Sequence, residues 1–304
     1  MPGSLLVVIA YILLAVFLVV FVYRTYSIAK LPVHLRWELA PIPHEKGKSH
    51  YGGSYFEEFE WWTKPRDKSL VNEATYMFQE ILFLKSLWEH NRKLWWFSFP
   101  FHFGMYVLIA AGGLLVIGTV LSLLGVTDSA LAGLGVVVGP VAAVGFVLGG
   151  IGAIGLLFKR MTDPRLKAFT TSIGLFNLVL LLAVFATGIY SFLALDGFAD
   201  NVSEFVGAVF TANTAIATSG VLAAHLVLAL VFMAYLPFTQ MMHFMAKYFT
   251  YHQVRWNDSP LEVGGKMEQE VQRLLQQPMT WSAPHINADG KKSWVDIATE
   301  EVGE

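Results

Sequence analysis

Five long runs without charge constrain this chain more than any motif in it: Leu5–Val22, Leu94–Leu124, Leu134–Phe158, Phe169–Leu195 and Val221–Met245. A helix needs about 20 apolar residues to cross the hydrocarbon core of a bilayer. Within hydrocarbon only helices and closed barrels satisfy their own backbone hydrogen bonds. The runs therefore predict an all-α integral membrane protein, a bundle of five transmembrane helices. Composition agrees, since 55% of the 304 residues are hydrophobic and only 14% charged, too little polar surface to cover a soluble core. The second run exceeds the length of a span and contains Pro100, so it is expected to begin in the interface or to kink there.

The basic residues orient the bundle. Eleven of the 21 Lys and Arg lie between the first and second runs, four between the third and fourth, and six after Met245. The connections around Asp128 and across Asp196–Gly220 have none. The positive-inside rule then places the N-terminus outside and the C-terminus in the cytoplasm. The first run has its charges behind it and no small-residue cleavage site after it, so it reads as a retained helix. No basic stripe points to nucleic acid. There are no cysteines, which excludes disulfides, cysteine-held iron–sulfur clusters and covalent haem attachment within this chain.

Between the spans, residues 31–69 are rich in Pro, Gly, Tyr and Trp, and residues 70–92 read as one helix. Its apolar positions Val71, Met77, Phe78, Ile81, Leu82, Leu84 and Trp88 suit a membrane surface. The tail offers an amphipathic stretch over Met267–Gln277. Aromatic-rich segments of this kind serve either as interfacial anchors or as a docking surface for another subunit. Glycines are dense in the spans, with Gly135, Gly139, Gly145 and Gly149 in the third and Gly112, Gly113 and Gly118 in the second. They serve either close helix packing or space for a flat macrocycle.

Three histidines fall within spans, His102, His225 and His243. Ionisable groups in hydrocarbon are costly and mark function or need partners. As one continuous helix, His225 and His243 would be five turns apart on one face, roughly 27 Å along the axis. His102 and His243 would then sit at similar depth on different helices, an arrangement that suits bis-histidine ligation of one b-type haem. Helix–helix hydrogen bonding is the alternative.

The residues also carry a resemblance. HLVLALVFMAYLPFTQMMH (His225–His243), FHFG (Phe101–Gly104) and the turn KRMTDPRLKAFTT (Lys159–Thr171) resemble the membrane cytochrome b (gamma) subunits of respiratory nitrate reductases. Asp163 and Pro164 suit the cap and first position of the fourth helix. The resemblance implies that His102 and His243 ligate a haem b near the cytoplasm, and that His225 supplies one ligand of an outer haem. The family's other outer ligand stands ten residues after the first histidine of the second helix, where this chain has Gly112. The outer haem is then absent, unusually ligated or ligated by another chain, or His225 serves a quinol site. His34, His44, His50, His90, His252 and His285 all fall on the cytoplasmic side.

The stretches HLRWELAPIPHEK (His34–Lys46) and YGGSYFEEFEWW (Tyr51–Trp62) look more like gamma-type subunits of sulfate-reducer complexes, which pair with heterodisulfide-reductase-like iron–sulfur proteins. The resemblance implies a haem b subunit in a prokaryotic cytoplasmic membrane, carrying electrons between menaquinone or menaquinol and a cytoplasmic iron–sulfur subunit. Further membrane or extracytoplasmic cytochrome subunits are compatible with it. The expected organisation is a first transmembrane helix (1–22), a cytoplasmic loop with an interfacial helix (23–93), a four-helix haem-binding core (94–245) and a cytoplasmic tail (246–304). The rival function is a proton- or ion-translocating subunit without haem; the absence of Asp and Glu from the apolar runs counts against it.

Overall fold

In the computed structural model, residues 2–31, 47–51, 57–65, 69–126, 128–252, 263–283 and 286–300 are described. The segments His34–Lys46, 52–56 and His285, singled out above, lie outside them. Five described helices are long and apolar enough to cross a membrane, over Gly3–Ala29, Arg92–Leu123, Val136–Thr162, Ser172–Ala194 and Gly220–Phe238. The chain divides into two compact units: Met1–Phe21 with Tyr76–Met241, and Val22–Thr75 with Met242–Glu304.

The first unit is built on α4 (Arg92–Leu123), α5 (Asp128–Thr162), α7 (Ser172–Ala194) and α9 (Gly220–Tyr235). Helix α5 packs along α4 and also against α7, and α7 packs against α9. Lipid tails are as apolar as the side chains, so burial gives helices little reason to associate in a bilayer. Close van der Waals contact has to supply it. Glycine does that here. A Cβ on Gly104 of α4 would lie 2.7 Å from the Gly145 carbonyl and closer still to the Gly149 amide, both on α5. Gly149 in turn receives the ring of Phe185, Gly152 the backbone of Phe101, and Gly188 the ring of Phe146. The packing role of Gly145 and Gly149 is thus observed directly. At Gly112 and Gly113 an added Cβ would meet nothing within 4 Å.

One end of this unit is closed by α8 (Phe198–Thr211), which buries Phe198, Ala199, Phe205 and Ala208 and packs on α4 and α5. The connection across Asp196–Gly220, which carries no Lys or Arg, is thus largely helical, with its buried apolar residues at helical spacing. Asp196, Asp200 and Glu204 remain exposed. The first turns of α1 (Gly3–Ala29) dock at the same end, with Leu6, Val7 and Ala10 buried and the Tyr11 hydroxyl donating to the Val209 carbonyl at 2.5 Å. The opposite end carries Arg92, Lys93, Lys159 and Arg160, the last two in the final turn of α5.

Three expectations change. The stretch 70–92 is not one helix but α2 (Leu70–Leu82) and α3 (Lys85–His90), broken at Leu84, whose φ of 52° is left-handed. Asp163 does cap a helix begun by Pro164, accepting from the Arg165 amide at 3.0 Å, but that helix is the single turn α6 (Pro164–Lys167). The fourth span starts afresh at Ser172, capped by Thr171. The last span ends in two 3₁₀ turns, Leu236–Phe238 and Gln240–Met242. Pro237 removes a backbone donor there, and Thr239 is extended at φ −112° and ψ 174°.

The second unit contains α10 (His243–Thr250), α11 (Lys266–Leu275) and α12 (Trp294–Thr299). His252 Nε2 lies 2.5 Å from the Glu73 carboxylate and its Nδ1 2.7 Å from the Tyr248 carbonyl. The helix α12 opens on a reciprocal Ser293–Asp296 cap, and hydrogen bonding from Ser293 holds the Asp296 carboxyl below the usual carboxylate range. Glu58 pairs with Lys48 and, at 3.0 Å, with Lys64.

The glycine contacts give a direct test. Gly104→Ala forces α4 and α5 apart and should cost about 1–3 kcal/mol, whereas Gly113→Ala, which meets open space, should be neutral. Reversible unfolding in mixed micelles measures both, and equal stability of the two variants would contradict the packing described.

Candidate functional site

His102 lies three residues after the amide of Phe99 and two after Pro100, on the half-buried side of α4. Its Nδ1 is 2.7 Å from the Ser98 carbonyl. A carbonyl only accepts, so in the neutral ring the proton sits on Nδ1 and the lone pair on Nε2. That is the tautomer a metal-ligating imidazole adopts when a second group fixes its other nitrogen. Phe101 meets the ring edge-on at 5.2 Å, and Tyr106 lies one turn further along.

His225 is in α9, only 6% exposed. Its Nδ1 is 3.0 Å from the Thr187 hydroxyl of α7. That hydroxyl is also 2.9 Å from the Ala183 carbonyl and 3.0 Å from that of Val184. Its proton is therefore directed at its own helix backbone, which leaves the oxygen to accept from Nδ1–H of His225. The ring is held further by Phe146 of α5, edge-on at 5.3 Å and 86°. Again the lone pair is on Nε2.

His243 is the exposed first residue of α10, in the second unit. The two 3₁₀ turns separate it from α9, so the argument that His225 and His243 share a face of one continuous helix loses its premise. Its pairing with His102 rests on the resemblance of the span sequence.

Sequence reasoning missed two interhelical pairs, Thr187–His225 and Asn177–Tyr235, in which the Tyr235 hydroxyl donates to Asn177 Oδ1 at 2.9 Å. Both link α7 to α9, ten residues apart on each antiparallel helix. The polar residues were visible in the sequence, but their register was not. Asn177 Nδ2 is buried without a hydrogen-bond partner among the described residues.

These features fit a haem in its essentials. Among the described residues no three or more His, Asp or Glu converge as a metal-binding group. A haem iron takes its equatorial ligands from the porphyrin and asks the chain only for axial ones. Imidazole is an axial ligand of that kind, and His102 and His225 both lie on spanning helices. The helices that carry them, α4 and α9, are not among the closely packed pairs. Gly112, the position ten residues beyond His102, offers no ligand.

Apolar spans with imidazoles held inside the bundle are the architecture of membrane-embedded redox subunits. The family model for the nitrate reductase gamma subunit matches residues 85–257, more than half of the chain, and the chain belongs to that family. The family comprises membrane haem b subunits of quinol-linked respiratory complexes. No curated protein and no solved structure matches the chain.

The Thr187–His225 hydrogen bond has a measurable consequence. Thr187→Val should cost about 1 kcal/mol, the usual scale for an interhelical hydrogen bond in a membrane, and should cost nothing further in a His225→Leu background. A double-mutant cycle of unfolding free energies measures the coupling. Additive effects would show that the two groups do not interact.

Proposed function

We propose that this protein is the haem b membrane subunit of a complex that carries electrons between the menaquinone pool and a cytoplasmic iron–sulfur partner. One observation carries the reading: His102, hydrogen-bonded through Nδ1 to the Ser98 carbonyl at 2.7 Å, lies on a spanning helix within the stretch 85–257 that matches a haem-binding family. His102 and His243 would hold the haem, which supplies one-electron transfer between the quinol and the partner's clusters.

The chain's own residues set the conditions for that transfer. The Ser98 carbonyl fixes the imidazole and raises its basicity as a ligand. Lys159 and Arg160, half-buried in the last turn of α5, and Arg165 in the turn beyond are cations suited to propionate groups. Apolar spans exclude water from the interior. The clusters belong to a partner because the chain has no cysteine to hold them. The clustering of every Lys and Arg in alternate connections supports a cytoplasmic position for that partner, and the second unit, which carries α10 to α12, is the part assigned to dock it. Those features support a location in a prokaryotic cytoplasmic membrane.

His225 stands in the outer half of the bundle. A second haem there would require an axial ligand from another chain, because Gly112 occupies the position that the family fills with histidine. Without that ligand, Thr187 and Phe146 hold the imidazole as a hydrogen-bonding group available to quinol.

A reduced-minus-oxidised spectrum with haem quantification per chain tests the reading. One haem b per chain is expected, with the signal lost in both His102→Ala and His243→Ala and kept in His225→Ala. Full signal in the first two variants would overturn the ligand assignment. A colourless purified protein would move a proton- or ion-translocating function to the front. Two haems per chain would mean that His225 has found an external ligand.

A further inference from the structure

The corner between α2 and α3 is held in a way that an aqueous loop would not need. The last carbonyls of a helix have no intrahelical partner, and at a protein surface water satisfies them. Here side chains of the membrane-spanning α4 do so. The Tyr106 hydroxyl donates to the Ile81 carbonyl at 3.0 Å, and Trp95 Nε1 donates to the Phe83 carbonyl at 2.8 Å. On the other side of the corner, Glu80 is 3% exposed. Its carboxylate accepts from both the amide and the hydroxyl of Ser86, each at 2.9 Å, and so caps the first turn of α3. The left-handed Leu84 between them is fixed from both sides.

While its polar groups are satisfied internally, the corner turns large apolar side chains outward. Phe78, Ile81 and Phe83 are 56%, 41% and 49% exposed. At 100° per residue, Leu70, Ala74, Met77, Phe78 and Ile81 fall on one side of α2, and Asn72, Thr75 and Gln79 on the other. Trp96 and Phe103 of α4 are likewise exposed, at 64% and 38%. An aromatic ladder accompanies it: Trp95 stacks on Phe99 at 4.6 Å, and Phe99 on Phe103 at 5.5 Å. Helix α4 has 32 residues, about 48 Å at 1.5 Å per residue. Some 18 Å therefore remains beyond a hydrocarbon core about 30 Å thick. Trp and Tyr concentrate at the boundary of that core, and the α2–α3 corner is hydrogen-bonded beside this aromatic stretch. Two cations stand at the same level over aromatic faces, Lys85 over Tyr76 at 5.2 Å and Arg92 over Trp88 at 4.4 Å.

We propose that the α2–α3 corner is a monotopic wedge, its apolar face embedded in the lipid leaflet at the end of the bundle where α4 begins. Phospholipid is the occupant of this face because the corner is hydrogen-bonded to a spanning helix that itself exposes Trp96 and Phe103, and because its carbonyls find donors on that helix. The wedge bonds directly to the helix that carries His102, with Tyr106 one turn beyond that residue. Lipid contact on α2 therefore bears on the α4 segment that presents the imidazole.

The chain has no cysteine, so single nitroxide labels are unambiguous. Labels at Phe78→Cys, Ile81→Cys and Asn72→Cys would be introduced into the full chain and reconstituted in phosphatidylglycerol–phosphatidylethanolamine vesicles. Accessibility to oxygen, which partitions into lipid, would be compared with accessibility to a water-soluble nickel chelate. Labels at 78 and 81 should be relaxed several-fold more by oxygen than by the chelate, and the label at 72 should show the reverse. Chelate access at 78 and 81 equal to that at 72 would overturn the proposal. So would protection of 78 and 81 from both reagents, which would mean that protein covers the face. Haem content of the same samples separates this result from the ligand assignment, since a labelled corner lacking lipid contact in a haem-replete protein refutes the wedge alone.

Discussion

A polar group inside a bilayer has no water to turn to, so a partner within the protein is strongly favoured, and much of this structure follows from that preference, Asn177 Nδ2 being an exception among the described residues. The Ser98 carbonyl receives Nδ1 of His102, and Thr187 receives Nδ1 of His225. Tyr235 is matched to Asn177 across the α7–α9 contact. The carbonyls that end α2 are matched to Tyr106 and Trp95. Each bond also fixes something that bears on function. A satisfied Nδ1 selects the tautomer with its lone pair on Nε2, so the requirement that stabilises a buried imidazole also prepares it to bind a metal.

The bonds reach their partners only because the helices approach closely, and the approach depends on glycine. Gly104, Gly145, Gly149 and Gly152 bring the backbones of α4 and α5 together and let Phe101 and Phe185 enter the contact. Phe146, seated against Gly188 of α7, is the ring that meets His225 edge-on. Sequence spacing allowed two readings of these glycines, packing or space for a macrocycle, and the structure divides them between residues. Gly139, Gly145 and Gly149 on α5 are met by neighbouring side chains and backbone, while Gly112 and Gly113 on α4 face open space. The open positions lie on the helix that carries His102.

Legibility in the sequence followed the range of the physics involved. The five spans were readable because hydrocarbon thickness dictates a local run length. The Asp163–Pro164 helix start was readable because a cap is a three-residue event. What failed was the assumption that local signals continue: α6 stops after one turn, and the stretch 70–92 breaks at Leu84. Helix α8 was hidden because its apolar face is short and interrupted by Asp200 and Glu204. Thr187 was not readable as a partner at all, since a hydrogen bond between residues 38 apart depends on the register of two antiparallel helices. The candidate site was proposed from residue types and a family resemblance in spacing. Its orientation by Ser98 and Thr187 was not legible in the sequence.

The break at the end of α9 changes how the two histidines of the last span relate. In a continuous helix, five turns would tie His225 to His243 as one rigid body, and any shift at one would be transmitted to the other. The Leu236–Met242 segment instead passes through Pro237 and the extended Thr239 between two 3₁₀ turns, and such interruptions in spanning helices occur where protein covers the freed backbone groups. Pro237 and Met242 are indeed buried, and the Thr239 hydroxyl turns back to accept from the Met241 amide at 3.0 Å. His225 is therefore governed by α7, through Thr187. His243 begins a new helix and takes its direction from the second unit.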